Sequence, residues 1–127
     1  MKAKFIRDQE NPLDSLEIGR VLERKLEQKG KEIYPYLKKV AEEYNGNDIK
    51  TIINLENKLI QKSFILNDDP LYPVFYITYE LDFGFFVGWY IQTEKDAPYK
   101  GEQLPIEKLN KCVEQLKHWI KYYKNYL

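Results

Sequence analysis

A chain of 127 residues in which 20 Lys and Arg face 20 Asp and Glu has no net field to draw it to nucleic acid or an anionic membrane. Arg, whose planar fork suits phosphates and base edges, occurs only at Arg7, Arg20 and Arg24, so neither nucleic acid nor membrane is an expected partner. A composition of 43% hydrophobic, 31% charged and 15% aromatic residues argues against disorder, and the length suits one domain spanning 1–127 that buries roughly two thirds of its unfolded surface.

In chain order, Asp14 and Glu17 within NPLDSLE have capping-box spacing and predict a helix from about Ser15. Ile18, Val21, Leu22 and Leu26 recur along it at helical spacing, and Lys29 followed by Gly30 predicts its end. Pro35 opens a second predicted helix with the stripe Tyr36, Leu37, Val40, Ala41 and Tyr44, closed by Asn45-Gly46. Residues 48–66 read two ways: Ile49, Ile52, Ile53, Leu59 and Ile60 fit a helical face, while Ile53, Leu55, Leu59 and Ile65 fit a two-residue alternation. A lone hairpin later in the chain would be marginal as a sheet. That favours two strands here, Lys50–Glu56 and Leu59–Leu66 turning at Asn57-Lys58, over one helix from Asp48 to Lys62.

The stretch YITYELDFGFFVGWYIQ, entered at Pro73, alternates so that Phe75, Ile77, Tyr79 and Leu81 share a face, as do Phe85, Val87, Trp89 and Ile91. One hairpin must put both sets on the same side, and a two-residue loop would send them apart. A three-residue loop, Asp82-Phe83-Gly84, keeps them together, with Gly84 left-handed and Leu81 paired with Phe85. On the other side this register pairs Val74 with Gln92, Tyr76 with Tyr90, Thr78 with Gly88 and Glu80 with Phe86. After a loop EKDAPYKGEQ, Pro105 opens a long predicted helix whose stripe is Ile106, Leu109, Val113, Leu116, Trp119, Ile120, Tyr123 and Leu127. The expected fold class is α+β: an antiparallel β-meander of two to four strands with two N-terminal helices and one long C-terminal helix packed on it.

Motifs that carry chemistry are sparse. One Cys112 and one His118 cannot assemble a zinc site within the chain, and His118 falls on the polar side of the last helix, without a nucleophile partner in its own pattern. Cys112 sits at the edge of the apolar stripe and reads as a small core residue. The pairs Asp68-Asp69, Glu80 with Asp82, and Glu94 with Asp96 lack EF-hand spacing, and Gly84 and Gly88 have no phosphate-loop context. No cofactor is therefore expected. Glu80 and Asp82 on one strand face would stand about 7 Å apart, a spacing open to a hydrolase but common to any alternating charged strand. In KHWIKYYKNYL, lysines interleave with aromatics as in single-strand binders, yet Trp119 and Tyr123 belong to the core stripe. A lone Cys, the absence of a signal-like run in MKAKFIRDQE and the lack of about 18 consecutive apolar residues predict a cytoplasmic protein.

The remaining signal is the even side of the aromatic hairpin, where Tyr76, Thr78, Glu80, Phe86, Gly88 and Tyr90 gather around a glycine that leaves a notch or a close backbone approach. Solvated sheet faces are normally polar. Either the first helices cover this side, or it is a contact surface with the aromatic composition of interfaces. The expected function is non-enzymatic binding of a protein partner, or of a second copy, through this face. A small-ligand binder stacking a planar, nucleotide-like molecule on Tyr76, Phe86 and Tyr90 is the alternative, and a hydrolase using Glu80 and Asp82 the third reading. The Lys-, Ile- and Asn-rich composition suits an accessory protein of an AT-rich bacterial or phage genome, such as an immunity or anti-defence factor.

Overall fold

The computed structural model describes residues 12–91 and 100–126. They form α1 (Pro12–Glu43), β1 (Lys50–Asn54), β2 (Leu59–Ile65), β3 (Pro73–Glu80), β4 (Gly84–Ile91), β5 (Lys100–Ile106) and α2 (Leu109–Tyr126). The strands make one five-stranded antiparallel meander in chain order, and residues from both helices join one core on a single face of it. The architecture is α+β as expected, with five strands and a single N-terminal helix among the described residues.

The two predicted N-terminal helices are continuous, because neither the stop expected at Gly30 nor the start expected at Pro35 marks a boundary. Gly30 is buried against β2, where an added Cβ would lie 2.5 Å from Ile60 Cδ1, so glycine there permits close helix-to-sheet approach. Pro35 stands on the exposed side, where a helix curving around its core already lengthens its hydrogen bonds. Leu26, Ile33, Leu37, Val40 and Ala41 are buried, whereas Ile18, Val21 and Tyr36 of the predicted stripes face solvent. The true end is Asn45-Gly46: Asn45 is left-handed at φ 60°, and the Gly46 amide donates to the Ala41 carbonyl at 2.7 Å, the bond of a Schellman cap.

Within residues 48–66 the chain forms β1 and β2, paired Ile53 with Ile60 and Asn54 with Leu59, and the turn takes Leu55 to Lys58. Asn54 Oδ1 accepts from the Asn57 amide at 2.9 Å, which shortens the first strand from its expected end at Glu56.

The β3–β4 hairpin keeps the expected faces but slips by two residues. Phe75 pairs with Trp89, Tyr76 with Gly88, Thr78 with Phe86 and Glu80 with Gly84, so the loop is Leu81 to Phe83. Asp82 takes φ 75° and Gly84 φ 94°, and the Phe83 amide donates to the Glu80 carbonyl at 3.0 Å. A two-residue slip leaves every side chain on its face. It gains the stack of Phe75 on Trp89, with centroids 6.1 Å apart.

Residues 100–106, expected as the end of a loop and a helix start, are the edge strand β5, and the last helix begins at Leu109. Pro105 fits an edge because it lacks only a donor that no neighbour requires. The expected loop residues 94–99, and Leu127 of the predicted stripe, lie outside the described residues. Trp89 and Trp119 are both buried in the one core, between sheet and helices.

Candidate binding face of the sheet

The core occupies the face bearing Phe75, Ile77, Val87, Trp89 and Ile91, with Ile60 and Phe64 from β2. Direct pairing assigns the second face: Lys50, Ile52 and Asn54 from β1, Leu59, Gln61, Ser63 and Ile65 from β2, and the even positions of β3 and β4. Gly101, Gln103 and Pro105 of β5 complete it. Tyr76, Thr78, Glu80, Phe86, Gly88 and Tyr90 thus share one face, as the alternation required. Both helices lie on the opposite one, so the alternative in which the first helices cover it is not met.

Its centre is not a notch. The Tyr76 ring lies across Gly88, where an added Cβ would fall 2.3 Å from its Cζ and hydroxyl oxygen. Its hydroxyl donates to Gln103 Oε1 at 2.6 Å, spanning β4 from β3 to β5. The glycine therefore seats an aromatic ring. Tyr90 tilts against Tyr76 at 6.1 Å between centroids, and Thr78 donates to Gln61 Oε1 at 3.0 Å. Val74, Ser63, Tyr76 and Thr78 are buried while Phe86, Tyr90, Leu59, Gln61 and Ile65 are half-buried. The result is a platform whose side-chain hydrogen bonds lock rings and amides across strands.

Gln103, Gln61, Ser63 and Ile52 were not expected at this site. Gln103 was missed because β5 was not read as a strand, although Leu104 and Ile106 two apart around Pro105 carry an edge-strand signal. A recess of about 80 Å³ lies between Lys50, Ile52, Gln61, Ser63, Val74 and Tyr90, against the ~300–1,000 Å³ of ordinary ligand pockets. A larger open recess, about 590 Å³, lies at the turn end among Phe83, Phe85, Pro105, Ile106 and Glu107.

Asp82 stands in the turn, beyond the last residue of β3, so strand alternation does not set it beside Glu80 as the hydrolase reading required. Among the described residues no group of three or more His, Cys, Asp or Glu could hold a metal ion, and no helix is long and apolar enough to cross a membrane. Burial pushes the Cys112 thiol up to about 12. It should resist thiol reagents in the folded protein and react only as the chain unfolds; labelling that outpaces unfolding at neutral pH would contradict this. Tyr123 donates to Asp69 Oδ1 at 2.5 Å, tying α2 to the β2–β3 loop, and burial followed by that bond raises its pKa. His118 is exposed, and Lys117 reaches Glu43 Oε1 at 2.9 Å across the helices.

Comparison with protein-family models, with curated proteins and with solved structures finds no match.

Proposed function

We propose that this chain is a non-enzymatic cytoplasmic binding protein that engages a protein partner through the second face of its sheet. The carrying observation is the segregation of the fold: both helices pack on one face, while the other keeps Ile52, Ile65, Val74, Phe86 and Tyr90 with Lys50 and Glu80 as its charges. A face meant only for water would be charged across its width. Aromatic and aliphatic groups among neutral hydrogen-bonding side chains have instead the make-up of an interface centre, where charge is depleted. A macromolecular partner is favoured at the Tyr90 side of this face, where the recess is too small for a nucleotide-sized ligand.

Native mass spectrometry of the protein recovered from its own host, paired with Phe86→Gln, tests this reading. The wild-type chain should retain a stoichiometric protein partner, and the variant should melt as the wild type does but hold the partner ~10- to 100-fold more weakly, the loss of one aromatic anchor. A partner held equally by a folded variant would place the interface elsewhere, and a retained small molecule in its stead would favour ligand binding.

A further inference from the structure

The two edges of the sheet are built differently, and hydrogen-bond phase shows how. The Leu81 amide donates to the Lys58 carbonyl and the Leu66 amide to the Pro73 carbonyl, so even residues of β2 bond toward β3 and its odd residues toward β1. In β1, Lys50, Ile52 and Asn54 oppose those odd residues and bond inward. Thr51 and Ile53 therefore turn their amides and carbonyls outward. Carried the other way through β3 and β4, the same alternation leaves Gly101, Gln103 and Pro105 of β5 facing out. Pro105, which has no amide, falls on the outward set, as an edge proline must.

The β5 edge, KGEQLPI, is thus guarded by a proline where a new strand would need a donor, with Glu102 and Gly101 beside it. The β1 edge, KTIIN, has no proline, no bulge in its pairing and three β-branched residues in succession. Its exposed face residue Ile52 is 44% accessible, and on the helix side Tyr34 is 40% accessible. The Tyr34 ring lies 5.6 Å from Lys62 Nζ, which donates to Thr51 Oγ1 at 2.7 Å, so that ring stands beside the edge.

We propose that a second copy of the chain pairs with this edge, β1 against β1 antiparallel, about a twofold axis at Ile52. The sequence is self-complementary in that register. Thr51 then faces Ile53 of the other copy, so the outward amides and carbonyls of both residues meet in hydrogen-bonded pairs, with Ile52 against Ile52 as the close, non-bonded pair at the axis. Lys50 falls opposite Asn54, and no like charges oppose each other along the strand. The two sheets become one, which doubles the second face and uses only its edge at Ile52. A pair of five-residue strands buries less than the ~1,000 Å² of a firm interface, so Ile52 and Tyr34 must add to it and the association is weak and concentration-dependent. The inference does not depend on the aromatic face binding a partner.

Sedimentation velocity from about 1 µM to 1 mM should show a reversible dimer. Ile52→Lys, which sets two ammonium groups across the axis, and Thr51→Pro, which removes an outward donor and leaves the β2 ladder intact, should each weaken it at least ~10-fold without lowering the melting temperature. Amide hydrogen exchange on the wild type decides the case even if a variant melts early. Protection at Thr51 and Ile53 should rise with concentration while that at Ile52, already bonded to β2, stays constant. A chain monomeric throughout, or a dimer whose Thr51 and Ile53 amides exchange as in the monomer, overturns the proposal; the second result would assign self-association to another surface.

Discussion

Trp89→Ala should cost ~3–5 kcal/mol of folding stability, the largest loss expected from any single truncation on β4. The indole is 3% exposed, stacks on Phe75 at 6.1 Å and meets the Tyr123 ring edge-on at 6.0 Å, so it joins the sheet to α2. Removing it leaves a void that three elements line and none can fill alone. Against a total stability of ~5–15 kcal/mol, the variant should lie close to the folding threshold. Trp89→Phe is the informative control. The indole Nε1 is buried with no hydrogen-bond partner among the described residues, and an unsatisfied buried donor carries a penalty of ~1–3 kcal/mol. Phenylalanine keeps most of the packing and removes that donor, so its net cost should stay under ~1.5 kcal/mol. Urea titrations with unchanged slopes measure both, and an alanine variant within ~1 kcal/mol of wild type would mean that the indole is not a core element.

Gly88→Val should cost ~1–3 kcal/mol, although valine suits a strand better than glycine by propensity. With Tyr76 directly across the pair, the new methyl groups would enter the space of its buried ring and drive it off Gln103. The effect should therefore depend on the ring and vanish without it. In a Tyr76→Ala background the same valine should be neutral or stabilising, giving a coupling of ~0.5–3 kcal/mol in a double-mutant cycle. Additive costs would show that the ring does not rest on the glycine. Any loss of partner binding by Gly88→Val must be normalised to the folded fraction, because this position acts on stability first.

Much of the fold is legible in local pattern. Period-two alternation in residues 73–91 assigns every side chain of the hairpin to its face, and Asn45-Gly46 ends a helix where the chain must turn left-handed. The register was not legible, because pairings two residues apart present identical faces and loops of the same length; Tyr76 over Gly88, held by Gln103 from a strand 27 residues on, selects one of them. Gly30, Pro35 and Pro105 each carry a local meaning, one helix stop and two helix starts, that their surroundings override. Glycine serves contact with Ile60, the first proline faces solvent and the second lies on an edge.

By itself, the sequence determined an α+β chain with an aromatic sheet and a set of even residues bound to share a side, since each of these follows from spacing within one segment. Only the tertiary structure decided that α1 is one helix, that five strands form the sheet, that both helices take the same face, and that one edge is guarded while the other is not. The reason is physical: alternation sets which residues go together, but which side a helix covers and which strand ends a sheet depend on contacts between segments far apart in the chain, and no local period encodes those.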